Sequence, residues 1–328
     1  MLKLLFKNRI QNNIARQIAN VPNAPRYLIA VFSRYGDGII AFKIASEFAK
    51  AHKNSKFLVV TTHQLLPYAQ EFFGKKAMAV NKRNPFELYK TVVRIKNFAP
   101  DIGLNPWSFG DEARFFISYA TNFVDFSAFK TWNKIDNLYD RAREYFGLAL
   151  PERLYTPNAL PENANVILFA PFSTDVTKSL SQEKAVEALA NLNAQYPNAI
   201  IWLCGFKNET AKLNHANVFN FQRSTISSSY FLNLLKSSDL FVGVDAGPLH
   251  LATSLDIASL AIFGPTAPQT ILDSYNNVTV WRDSKLDDIF CFVESCKNPV
   301  CLQDCFKTSE VLPQSVRLES TNCPMIEK

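Results

Sequence analysis

Three strand-like runs in the second half of the chain end in residues that could hold a phosphorylated ligand. The first, "VILFAPFSTDVTKS" (166–179), places hydroxyls at Ser173, Thr174 and Thr177 and a cation at Lys178 directly after an apolar run. Hydroxyl donors beside an ammonium are phosphate-binding chemistry, here without the glycine framework of a Walker loop. The second, "AIIWLCGFKNET" (199–210), ends in Gly205 and carries Glu209, a carboxylate suited to holding the paired hydroxyls of a ribose. The third, "LFVGVDAGPLH" (240–250), runs into Asp245, Ala246, Gly247, Pro248, Leu249 and His250. Proline is preorganised for a first helical turn, and glycine lets a ligand approach the backbone. The N–H groups of a helix start, with its dipole, suit a pyrophosphate, and His250 adds a donor one turn on. Alone, D-A-G-P also reads as a tight strand-to-helix turn with His250 in the core. Three convergent strand ends favour a nucleotide site.

Strands and helices alternate throughout, which positions such ends on one edge of a sheet. In the first half "RYLIAVFS" (26–33) reads as a buried strand, "RYGDG" as a turn, "IIAFKIASEFAKAHK" as a helix and "KFLVVTT" (56–62) as a strand. "DIGLNPWS", the helical "DEARFFISYATNF" and the helix "NKIDNLYDRAREYFGL" continue the pattern as far as a proline- and asparagine-rich linker, "PERLYTPNALPENAN" (151–165). Alternation then restarts, with strands over 166–173 and 199–206, then "LFVGVD" and "ASLAIFG", separated by helical segments. Strands spaced by helices of roughly 10–15 residues predict parallel sheets. The chain is therefore α/β, with two Rossmann-like domains over 1–155 and 156–328 facing a central cleft, and ligands at the carboxyl ends of the strands.

The 328 residues carry 48% hydrophobic and 20% charged residues, ordinary for a globular protein. The net charge of +6 is not gathered into a nucleic-acid tract. No apolar run reaches the ~18–20 residues that would span a bilayer, and no export signal is evident, so a cytoplasmic location is expected. The opening "MLKLLFKNRIQNNIARQIANV" spaces Leu2, Leu5, Phe6, Ile10, Ile14 and Ile18 as a helix stripe with Lys3, Lys7, Arg9 and Arg16 among them. Such a segment either docks on the protein itself or lies on an anionic membrane surface, here the inner face of the cytoplasmic membrane. Cys291, Cys296, Cys301 and Cys305 are separated by four, four and three residues, a spacing without the paired knuckles of common zinc sites. Buried or idle thiols are the expectation there, with a bound metal as the alternative.

"GVDAGPLHLATSLDIASLAIFGPTAP" (243–268) resembles the signature of glycosyltransferase family 9, the ADP-heptose:lipopolysaccharide heptosyltransferases. Members read Asp-(Ser/Thr)-Gly-x-x-His, a short helix, a strand, then Phe/Tyr-Gly-(Pro)-(Thr/Ser). Asp245, Gly247 and His250 match, while Ala246 replaces the usual hydroxyl residue. The resemblance extends to "FSTDVTK", where Ser173, Thr174 and Lys178 take the positions of two hydroxyls and a phosphate-binding lysine; the tryptophan-proline that usually follows is absent. Glu209 falls at the family's ribose-contacting acid. In "SRYGDG", Asp37 takes the place of the family's proposed catalytic base, with Gly38 where an aliphatic residue is usual and Lys43 where proline is common.

The resemblance implies a GT-B fold and an inverting transfer of heptose from ADP-heptose to a lipopolysaccharide core or related surface glycan. A carboxylate at a strand end is chemically apt for taking the acceptor hydroxyl's proton; Asp37 read alone also fits a helix cap. Lys43, Trp107 and Arg114 are candidates for contacting an anionic acceptor. No D-x-D pair follows a strand in the second half, so neither a metal nor another cofactor is expected. Two other readings stay open at this point: a sugar-nucleotide epimerase of similar fold, and a non-catalytic protein binding glycan or nucleotide-sugar.

Overall fold

"RYLIAV" is apolar on both faces, and a strand of that kind must be covered on both sides. The computed structural model shows how. It describes residues 22–108, 110–126, 136–150, 160–205, 217–222, 226–273 and 277–281. The basic opening segment, Glu209, the four clustered cysteines and most of the proline-rich linker lie outside these residues. The chain divides into two compact units, Met1–Asn133 with Leu138–Leu150, and Lys134–Asn137 with Pro151–Lys328.

In the first unit the elements run β1 (Arg26–Val31), α1 (Tyr35–Ala51), β2 (Lys56–Thr61), α2 (Leu66–Phe73), β3 (Ala77–Ala79), α3 (Pro85–Phe98), β4 (Ile102–Asn105), α4 (Asp111–Ile117), β5 (Asn122–Asp125) and α5 (Leu138–Tyr145). The sheet is wholly parallel in the order β3-β2-β1-β4-β5. Leu28 and Ala30 of β1 meet Leu58, Val60, Leu88, Ile95 and Phe116 on one face. Chain order reverses between β1 and β4, which opens a crevice at their carboxyl ends.

The second unit runs β6 (Val166–Ala170), α6 (Gln182–Gln195), β7 (Ile200–Gly205), β8 (Val218–Gln222), α7 (Ser228–Lys236), β9 (Leu240–Val244), α8 (Gly247–Ser254), β10 (Ser259–Ile262), α9 (Pro268–Ile271) and β11 (Val278–Trp281). Its six strands lie in the parallel order β11-β10-β9-β6-β7-β8, so the reversal falls between β6 and β9. Ile167, Phe169, Leu189, Leu192, Ile201, Val242 and Ile262 form its core. No helix among the described residues is long and apolar enough to cross a membrane.

Two local expectations are corrected. "YGDG" is not a turn but the first turn of α1, with Arg34 at its N-cap. Gly36 and Gly38 keep negative φ. Gly38 serves close approach instead: a Cβ there would stand 3.0 Å from Cδ1 of the buried Leu65. The helix expected through "DEARFFISYATNF" stops at Ile117. Tyr119 and Ala120 tighten onto the carbonyls of Phe116 and Ile117, and Asn122 is then captured by the carbonyl of Asp101, starting β5. Sheet pairing outweighs helical propensity at that point.

Candidate functional site

In the second unit the crevice residues follow β6 and β9, the two strands at the reversal. They approach closely because Gly243 pairs with Ala170; a Cβ at 243 would come within 2.8 Å of the Ala170 carbonyl. After β6 the chain is tied into a compact loop. Ser173 N–H donates to Ser179 Oγ at 2.8 Å, and Ser179 Oγ donates back to the Ser173 carbonyl at 3.0 Å. Asp175 caps the 3₁₀ turn Val176–Lys178, accepting from both the N–H and the Oγ1 of Thr177 at 3.0 and 2.7 Å. The Thr177 hydroxyl, grouped with the ligand hydroxyls from sequence, is buried and committed to this turn. Ser173 Oγ accepts from Asp175 N–H at 3.2 Å, with its own proton uncommitted among the described residues, and Thr174 is exposed.

The loop aims Lys178 across the reversal. Its Nζ donates to Asp245 Oδ2 at 2.6 Å, and the other carboxylate oxygen lies 3.6 Å from His250 Nε2. Asp245 is only 3% exposed, while the Lys178 side chain keeps 28%. Burial alone would raise the Asp245 carboxyl; the polar contact with His250 and the charge of Lys178 overcome it and hold the group well below the usual carboxylate range. The site therefore carries a buried anion and, paired with it, a lysine whose side chain keeps partial access to water. His250 Nδ1 is buried and finds no hydrogen-bond partner among the described residues.

The helix start is narrower than its sequence suggests. Ala246 is the N-cap and lacks a capping side chain. The N–H groups of Leu249 and His250 return to the Ala246 carbonyl at 3.0 and 3.4 Å, and Pro248 has none. Among the described residues that leaves the amide of half-buried Gly247 as the first-turn N–H without a backbone partner. Pro248 and Leu249 are buried, and Leu249 packs fully inside. The sequence-predicted set thus resolves into Ser173, Thr174, Lys178 and Gly247 at the crevice, with Asp245 and His250 beneath. What sequence reading missed is the pairing of Lys178 with Asp245, 67 positions apart.

In the first unit, Asp37 follows β1 and Trp107 follows β4, again the two strands at the reversal. Trp107 is buried against Phe126, ring centroids 5.4 Å apart, and its Nε1 donates to Asp37 Oδ1 at 3.3 Å. Asp37 lies within the first turn of α1 rather than at its cap, and is half-buried. Trp107 thus orients the carboxylate. Arg114 and Lys43 are engaged elsewhere. Arg114 Nε donates to Asp125 Oδ2 at 2.8 Å, and Asp125 Oδ1 accepts from Asn105 at 2.7 Å, which locks the end of β5. Lys43 Nζ stands 5.9 Å over the Tyr139 ring, beside the bidentate pair that Arg143 makes with Glu47 at 2.8 and 2.9 Å. Among the described residues no group of three or more His, Cys, Asp or Glu side chains could hold a metal ion.

Two Rossmann-like units, each with polar residues at the reversal of its parallel sheet, define the class: the GT-B fold. The model of glycosyltransferase family 9 (heptosyltransferase) matches residues 125–301, more than half of the chain, and the chain belongs to that family. It is a glycosyltransferase. Among solved structures it is similar to the E. coli heptosyltransferase WaaC with ADP, at 19% identity and a TM-score of 0.57, covering 78% of this chain and 92% of that one. WaaC with ADP-2-deoxy-2-fluoro heptose aligns at 17% identity and 0.54, covering 80% and 96%. The E. coli ADP-heptose lps heptosyltransferase II aligns at 14% identity and 0.60, covering 80% and 92%. TibC from enterotoxigenic E. coli H10407, described as an iron-containing dodecameric glycosyltransferase, aligns at 17% and 0.53, covering 88% and 76%. No curated protein matches the chain.

Proposed function

We propose that the protein transfers a heptose, with inversion, from ADP-heptose to a lipopolysaccharide core or related surface glycan. The observation that carries this reading is the Lys178–Asp245 pair at the reversal of the second sheet, where a nucleotide's diphosphate would lie. The E. coli heptosyltransferase WaaC, solved with ADP and with ADP-2-deoxy-2-fluoro heptose, supports the choice of donor. Ser173, Thr174, Lys178 and the Gly247 amide would bind the diphosphate, and Glu209 the ribose. Ala246 has no side-chain hydroxyl to offer the donor, so any contact from that position would come from its backbone.

In the transfer, Asp37 accepts the proton of the acceptor hydroxyl as that oxygen forms its bond to the anomeric carbon. The bond from that carbon to the phosphate oxygen breaks, and ADP leaves with the electron pair. Lys178 and the start of α8 stabilise the charge that develops on the leaving phosphate. Asp245 and His250 act beneath as positioning residues, holding the ammonium in place. We further propose a cytoplasmic protein, held at the inner face of the membrane in part by its basic opening segment, and a transfer that persists in a chelator.

Titration calorimetry with a panel of nucleoside diphosphates tests the donor. ADP is expected to bind well ahead of UDP, GDP and CDP. Equal binding of all four, or of none, would remove the adenine nucleotide from the proposal.

A further inference from the structure

A surface helix normally turns one apolar stripe inward and a polar face to water. α3 does not. Its inward stripe is Leu88, Thr91 and Ile95, with Leu88 and Ile95 packed in the first unit's core. On the opposite side, at i, i+3 and i+7, stand Phe86, Tyr89 and Val93, which are 64%, 67% and 36% exposed. Single exposed apolar side chains are ordinary. Three on one stripe of a fourteen-residue helix make a ridge.

Cations border that ridge. Lys90 and Arg94 are exposed on it, with Lys90 Nζ 4.3 Å over the Phe86 ring, and exposed Arg83 and Lys96 lie toward its two ends. The helix's one carboxylate, Glu87, is drawn to the side: its Oε2 lies 2.8 Å from His63 Nε2 and accepts from the Asn81 N–H at 2.9 Å.

We infer that this ridge seats the first unit on an anionic phospholipid surface. Aromatic and aliphatic side chains enter the boundary between headgroups and acyl chains, while neighbouring Lys and Arg meet lipid phosphates. A second copy is disfavoured, because facing ridges would set like charges against each other. A glycan is disfavoured too, since sugar hydroxyls call for acceptors as well as donors, whereas Lys90 and Arg94, the exposed charged side chains on the ridge, are donors only. α3 begins at the carboxyl edge of its sheet, the edge that carries Asp37 and Trp107. On the reading of the protein as a transferase to a lipid-linked glycan, the ridge would bring that edge to the membrane where the acceptor is anchored.

Co-sedimentation of the full chain with vesicles tests this directly. Phe86→Ser/Tyr89→Ser is expected to lower partitioning onto vesicles containing phosphatidylglycerol by at least ~10-fold. Lys90→Gln/Arg94→Gln is expected to lower it ~30-fold on those vesicles and to leave binding to pure phosphatidylcholine unchanged. Val186→Ser, an exposed position on α6, serves as control and should sediment as the parent does. Far-UV circular dichroism melts establish that each variant folds. Parent-like sedimentation of both ridge variants overturns the inference. So does a ridge variant that sediments normally but loses a dimer in ultracentrifugation or needs more of a soluble glycan acceptor. Vesicle binding requires neither donor nor acceptor, so this result stands or falls separately from the transferase reading.

Discussion

Replacing Asp245 with asparagine removes the charge beneath the crevice while keeping the side chain's size. Three quantities set the expected cost. The Lys178–Asp245 contact is 2.6 Å, Asp245 is 3% exposed, and the Lys178 side chain is 28% exposed. A hydrogen bond to a charged group contributes about 1.5–3 kcal/mol. Breaking a fully buried ion pair costs more, but Lys178 keeps access to water, so the lower part of that range applies. Asp245→Asn should therefore be about 2 kcal/mol less stable than the parent at pH 7. The cost should also depend on pH. The native carboxyl titrates below its unfolded value of ~3.9, so its stabilisation is complete above that pH and drains away as the pH falls toward the native value. Asparagine has no such dependence. Urea denaturation of both proteins at pH 7 and near pH 3 should show a gap that narrows in acid. A gap below ~0.5 kcal/mol at pH 7, or one that stays constant with pH, would refute the account of this pair.

Lys178→Ala should weaken ADP binding by roughly 1.5–3 kcal/mol in titration calorimetry, because it deletes a charge-assisted contact to phosphate; unchanged affinity would take Lys178 out of the donor site. Trp107→Phe keeps the packing on Phe126 but loses the bond from Nε1 to Asp37. It should lower kcat about 3–10-fold and leave ADP affinity alone, whereas a change in ADP affinity would contradict a positioning role confined to Asp37. Gly38→Val would press on Leu65, which a Cβ already approaches to 3.0 Å, and should cost about 1–3 kcal/mol in thermal or chemical unfolding. A neutral result would mean that α1 and Leu65 separate freely.

The strands β1, β2, β6, β7 and β9 are legible because each is a short apolar run closed by a turn residue, and burial on both faces leaves that mark. β8 is harder to see, since an edge strand with Phe219 and Asn220 exposed carries no continuous apolar run. α3 hides for the opposite reason: apolar residues on two faces blur the helical period, although Asn84 capping Phe86 and Glu87 ahead of Pro85 marks its start. The candidate site residues are visible by type. Their pairing is not, because Lys178 meets Asp245 and Trp107 meets Asp37 only once parallel pairing has set strands side by side. Arg114 looks like a free cation in sequence for the same reason; its partner Asp125 belongs to the next strand.

The central claim is heptose transfer with Asp37 as the base, and single-turnover transfer from ADP-heptose by Asp37→Asn tests it most directly. Asparagine keeps the shape and an acceptor for the Trp107 N–H but cannot take a proton. The rate constant should fall by about 10²–10⁴-fold, with ADP affinity preserved because Asp37 and the Lys178 site belong to different units. A variant that transfers heptose at close to the parent's rate would contradict the assignment. So would a parent that releases ADP or alters the sugar without any acceptor present.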